Sequence, residues 1–221
     1  MKLLLVGAVL LVIGVVIFLE IKKSTMPDKS RSKNLFGNGM GDHLFDEHLI
    51  LDASIDEYRS LSDVEEESEV IVIAEKVSEH VSKLIKNEQG SIQKAYTLSD
   101  FKIKKVVAGH LLNAGETFTL LENEAYDAVK RLKYHILGYE KMITGRDYLL
   151  LLHRSENKPY LSVVGVNYGK IPLAKETSEV SLSLHSANTD YATEFLDRYN
   201  HIDTIRKQAR HKFAAYISGY K

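Results

Sequence analysis

Seventeen consecutive residues, Leu3–Leu19, carry neither a charge nor a polar side chain. A helix rises 1.5 Å per residue, so about 17 to 20 such residues cross the ~30 Å hydrocarbon core of a bilayer. Lys2 stands before the run, and Glu20, Lys22 and Lys23 follow it. A cleaved signal peptide would end in a small-x-small site, and Phe18-Leu19-Glu20-Ile21-Lys22-Lys23 offers none. A buried core helix is the poorer reading, because such a helix rarely starts at residue 3 with no polar face. Residues 1–21 are therefore expected to form an uncleaved, single-pass transmembrane anchor. Lys22, Lys23, Lys29, Arg31 and Lys33 lie after the span, and a positive-inside count places the following domain in the cytoplasm.

Residues 22–48 read as a flexible linker. Pro27, many charges and the run Gly37-Asn38-Gly39-Met40-Gly41 leave no apolar periodicity. The glycine run is not a phosphate cradle, because Asp42-His43 follows it where Lys-Ser/Thr is needed. Ser54-x-x-Glu57 reads as a capping box, with Ile55, Tyr58, Leu61 and Val64 behind it, predicting a helix over 55–67.

From there the pattern is β. Val70-Ile71-Val72-Ile73-Ala74 is a β-branched run that continues through Val77 and Val81. Thr97–Val107 alternates until Lys104-Lys105 interrupts it, which predicts a bulge. Glu116–Leu121, Tyr134–Gly138, Tyr148–Leu152, Tyr160–Val166 and Gly169–Leu173 complete the set, with Pro172 suited to an edge. The segment 124–133 reads as loop or helix. Short strands with turn residues between them predict a small antiparallel barrel or sandwich over 49–175.

Residues 188–217 form a clearer helix, with Asn188, Thr189 and Asp190 as candidate N-caps. Phe195, Tyr199, Ile202, Ala209, Phe213 and Ile217 make an apolar stripe. Acidic residues dilute its basic face, so packing on the barrel is favoured over docking to a membrane surface. The fold class expected is α+β: an N-terminal transmembrane helix, a small OB-like antiparallel β-barrel or sandwich, and a C-terminal amphipathic helix.

Four short segments carry a resemblance. Val64–Val72 resembles the helix-to-strand entry of a loosely defined group of membrane-anchored or secreted proteins of Bacillus and its relatives. Phe101–His110 resembles that group's F-x-V-x-K-V-x-K-G-x segment. Ala114–Phe118 resembles x-G-D-x-I, and Gly138–Leu152 resembles G-Y-x-P-L-x-x-G-x-x-Y-L-L-F-L. His110 and Met142 depart from the pattern. The succession is also similar to netrin-like barrels of OB type without their cysteines. The resemblance covers residues 60–173 and implies a small OB/netrin-like barrel outside the membrane, with no catalytic residue attached. It opposes the charge count on orientation, and the extracytoplasmic reading is preferred.

The chemistry expected is sparse. The chain has no Cys, which excludes disulfides, thiolate metal sites and thiol catalysis. Lys and Arg number 29 against 30 Asp and Glu, a balance that argues against nucleic acid as the partner. The one tight cluster of metal-ligand types is His43, Asp46, Glu47 and His48, but its order is not His-Glu-x-x-His. No Gly-x-Ser-x-Gly elbow occurs. Tyr139, Tyr148, Tyr160 and Tyr168 are candidates for a binding face, with core packing the favoured use. No cofactor is expected. The leading functional expectation is a non-enzymatic barrel that binds a protein partner or a cell-envelope component while anchored in the cell membrane. The alternatives are a metal-dependent hydrolase using His43–His48 and an assembly protein docking through its C-terminal helix.

Overall fold

The computed structural model describes residues 47–51, 57–136, 138–155, 157–174 and 190–220. The proposed anchor lies outside these residues, as do His43, Asp46 and nearly all of the linker. Among the described residues no helix is long and apolar enough to cross a membrane.

The architecture is α+β. Among the described residues ten strands are formed: β1 (Glu47–Leu51), β2 (Val70–Glu79), β3 (Lys83–Lys86), β4 (Ile92–Ala108), β5 (Thr117–Glu122), β6 (Glu124–Asp127), β7 (Leu132–Ile136), β8 (Asp147–Arg154), β9 (Leu161–Val163) and β10 (Lys170–Pro172). The helices are α1 (Leu61–Glu66), α2 (Asp190–Lys212) and α3 (Ala214–Ser218).

Five strands close a barrel in the ring order β2–β4–β5–β9–β8, with β8 pairing back onto β2. Four of these contacts are antiparallel, and β5–β9 is parallel, through Leu120↔Leu161 and Leu121↔Ser162. The expected all-antiparallel barrel is corrected here. An odd number of strands cannot alternate direction around a closed ring, so one parallel pair is unavoidable. The free edge of β8 is shared: β9 takes its C-terminal half and β10 its N-terminal half.

The sequence pattern explains which strands are covered. In β2 and β8 the apolar residues are continuous, because both faces are buried. Val70, Val72 and Ala74 point into the barrel with Phe101, Ile103, Phe118, Leu120, Leu150 and Leu152. Ile71, Ile73, Leu149 and Leu151 point outward and pack against Leu61 and Val64 of α1 and Ile202, Ile205 and Ala209 of α2, with Phe213 just beyond it. β4 and β5 instead alternate, because their outer face is open on the solvent side. The C-terminal helix thus spends its apolar stripe on the barrel.

The expected bulge is present. Ile73 faces Lys105 and Ala74 faces Ile103, which leaves Lys104 as the extra residue in β4. Lys104 reaches out to Asp147 (2.8 Å) and Glu75 (3.0 Å). Gly109, at φ +84°, turns the chain so tightly that a Cβ would lie 2.4 Å from the carbonyl oxygen of Glu69.

Three local expectations are corrected. The helix predicted from residue 55 starts at Leu61, because Ser60 and Asp63 form the capping box. Asp63 accepts from the backbone N–H groups of Arg59 and Ser60, so residues 57–60 are held out of the helix. Ser54 lies outside the described residues. The segment 124–133 contributes two strands rather than a helix: β6 and β7 form a hairpin that turns at Arg131, whose φ is +54°. The tail of the proposed linker, Glu47 and His48, belongs to β1, which pairs in parallel with β7. This second, three-stranded sheet β1–β7–β6 shares a small core of Leu51, Ala125 and Tyr134 with Ala95 of β4.

Candidate functional site

The barrel interior changes character at one end. The inward phase of β2 runs Val70, Val72, Ala74 and then Lys76; that of β5 runs Phe118, Leu120 and then Glu122; β4 supplies Ser99 at the same level. Glu122 is fully buried and accepts from four donors. Its Oε1 takes Lys76 Nζ (2.6 Å) and Ser99 Oγ (2.6 Å), and its Oε2 takes Met142 N (2.6 Å) and Tyr139 Oη (3.2 Å). Lys76 also donates to the carbonyl of Met142 (2.8 Å) and to Glu79 (3.0 Å), which Lys141 reaches from the other side.

The network pins residues 139–143 across the barrel end as a plug. Burial first, and then the charge of Glu122, pushes the Tyr139 hydroxyl well above its ordinary value. Glu124, on β6 beside the plug, accepts from Lys141 N at 3.1 Å, yet burial raises its carboxyl. Burial acts the same way on Glu79, but hydrogen bonds from Lys76 and Lys141 overcome it and hold that group low. Every member of the plug faces another member, so its chemistry is spent on sealing the barrel.

The open surface lies on the outside of β4, β5 and β9. Leu98 and Leu121 pair directly in register, both half-buried, and Leu121 is in turn beside Ser162. Tyr96 and Tyr160 are half-exposed on this side. Burial and then Tyr96 raise the Tyr160 hydroxyl, which places the two phenols within electrostatic reach. A polar border is organised by Asp100, which accepts from Ser78 (2.9 Å) and Thr119 (2.9 Å) and contacts His80 Nε2 (3.0 Å). The His80 contact is the largest influence holding Asp100 below its usual range.

The four tyrosines named from sequence divide sharply. Tyr139 and Tyr148 are sealed inside, as core packing requires. Tyr168 is also buried, but it lines a cavity of about 420 Å³ with Tyr58 and His201, stacking edge-on to each at 5.3 and 6.0 Å between centroids. Tyr160 alone reaches the outer face. Glu47 and His48 belong to β1, and the other two members of that cluster, His43 and Asp46, lie outside the described residues. Among the described residues no group of three or more His, Asp and Glu is placed to hold a metal ion.

Sequence reasoning missed the plug. Its signal was a lysine, a serine and a glutamate at inward positions of apolar strands. The level at which they meet depends on register across 46 residues of chain.

No protein-family model matches the chain, and no curated protein shows significant similarity to it.

Proposed function

We propose that the chain is a membrane-anchored binding protein whose barrel is of OB type and whose outer β4–β5–β9 face recognises a protein partner or a cell-envelope component. In barrel-strand order the ring reads first, second, third, fifth, fourth, with the third and fifth strands parallel. OB barrels use the outer surface of the second and third strands for extended ligands. The observation that carries the reading is the Leu98–Leu121 pair flanked by Tyr96 and Tyr160 on that surface. It is set on a barrel whose opposite outer face is already occupied by α2. Half-exposed aromatics beside aliphatic side chains supply contact area at low entropic cost.

The apolar run 3–19 supports anchorage, and the resemblance to envelope proteins of Bacillus type supports an extracytoplasmic barrel. The near-zero net charge disfavours nucleic acid as the extended ligand.

The test places a photo-crosslinking residue at Leu98 or Leu121 in the full chain, in membranes. A discrete adduct at these positions, absent when the crosslinker replaces exposed Lys94 or Glu88, supports the face. The same adduct pattern at all four positions would remove it.

A further inference from the structure

A second polar feature adjoins the plug at Glu140 and is separate from the outer β4–β5–β9 face. A crevice of about 90 Å³ opens between α2 and the loop joining β9 to β10. Three cations converge on it: Lys170, Arg206 and Arg210. Arg206 is only 9% exposed. Its Nη2 donates to the carbonyl of Asn167 at 3.0 Å, and its Nε has no hydrogen-bond acceptor among the described residues. Arg210 turns Nε (3.2 Å) and Nη2 (3.0 Å) to a single carbonyl, that of Pro172. Lys170 donates to the carbonyl of Glu140 and sits 4.1 Å from the centre of the Tyr139 ring.

Two carboxylates also border the crevice, Glu140 and Asp203, and Asp203 is already paired with Lys207 at 2.7 Å. Among the described lining residues, three cations against two carboxylates, one of them neutralised from outside, leave the crevice electropositive. A guanidinium taken out of water is stabilised most by a charged acceptor, and carbonyl dipoles supply only part of that.

We propose that this crevice binds a phosphate-type oxyanion through Arg206 and Arg210, with Lys170 as a third contact. Donors approaching from a helix and from β10 suit a tetrahedral anion better than a planar carboxylate. The volume admits the phosphate group alone, so anything attached to it stays outside. The anion would bridge α2 to the β9–β10 loop, and burial, the main influence lowering the Arg206 guanidinium, would be offset by the bound charge. This inference is independent of the recognition face.

The experiment is calorimetric titration of the full chain in non-ionic detergent with inorganic phosphate, with glycerophosphoglycerol and with acetate. Phosphate is expected to bind, and to weaken by roughly tenfold in Arg206→Gln through the loss of charge-assisted hydrogen bonds. Arg210→Gln, at the half-buried rim, should weaken it in the same direction and serves where Arg206→Gln fails to fold. Binding of the phosphodiester as well as phosphate identifies a lipid headgroup as a source, whereas binding of phosphate alone identifies the free ion. Equal affinity in wild type and Arg210→Gln, acetate binding as tightly as phosphate, or no binding of either phosphate compound would overturn the proposal.

Discussion

Replacing Glu122 by Gln is the most discriminating single change in the barrel. The carboxylate accepts four hydrogen bonds, two on each oxygen, and faces Lys76 at 2.6 Å with neither side chain exposed. At an effective dielectric near 20 the pair attraction is about 6 kcal/mol, and removing two ions from water offsets most of it. Gln keeps the shape but changes the balance in two ways. It leaves Lys76 buried with only Glu79 as a counter-charge, and its amide nitrogen turns a donor toward two donors. Breaking one side of a buried pair costs about 3–5 kcal/mol. For a chain of this size that corresponds to a fall in Tm of roughly 6–20 °C. The joint change Lys76→Met with Glu122→Leu removes both charges and should recover much of that loss, although Ser99 and Tyr139 then lose their acceptor. Thermal unfolding of wild type, both single variants and the pair, followed by circular dichroism, gives the coupling directly. A Glu122→Gln protein melting within 2 °C of wild type, or a double variant no better than the sum of the singles, would refute the reasoning.

Deleting residues 190–221 should expose the outer faces of β2 and β8 and leave the protein aggregated or unfolded. Ile205→Ala alone should cost about 2–5 kcal/mol, and a deletion variant with a native melting transition would show that α2 is dispensable. Full-length protein should stay in the membrane fraction after carbonate washing, and protease shaving of intact cells should cut the barrel. Release by carbonate, or protection until lysis, would count against anchorage or sidedness respectively. Asp63, Glu69 and Asp100 are held below their ordinary values by Ser60, Arg154 and His80, so the stability they lend is present above about pH 4 and lost as pH falls through their lowered values. Glu124 has the opposite sign: its raised value makes stability fall as pH rises from 4.5. Glu124→Gln should therefore melt no lower than wild type at pH 7, and a clear loss would contradict that assignment.

Much of the barrel was legible because its strands declare how many faces they bury. The continuous runs Val70–Ala74 and Tyr148–Leu152 mark the two strands held between the interior and α2, while alternation in Phe101–Lys104 marks a strand with one wet face. The bulge was legible because two adjacent lysines cannot both follow the alternation. The hairpin at 124–136 was not, since Glu-Ala-Tyr-Asp-Ala-Val has no period that separates strand from helix, and its pairing partner β1 begins inside the apparent linker. The helix start was misplaced because Ser54 and Ser60 both offer a cap three residues before an acid. Ser60 is followed at once by the buried Leu61 and Val64. Of the candidate sites, nothing in the sequence separated Tyr160, which reaches the surface, from Tyr139, Tyr148 and Tyr168, which are buried. The plug and the Arg206 crevice were not legible either, because each joins residues from elements whose adjacency only the closed ring decides.

That ring also dictates when the protein can exist during its own synthesis. Glu69 and Arg154, which meet at the start of β2 and the end of β8, are 85 residues apart, and β9 must follow before the circle is complete. A ribosome delivering the chain from its N-terminus therefore releases β2, β4 and β5 as an open, curved sheet, with the inner face of β2 uncovered and its outer face covered only by α1. The strand that shuts it holds β5 by two residue pairs, and the helix that shields its back arrives last. Long-range closure of this kind is slow and leaves sticky edges in the interval. If the apolar leader does tether the nascent chain to a bilayer, the half-made sheet waits beside lipid rather than among its own copies.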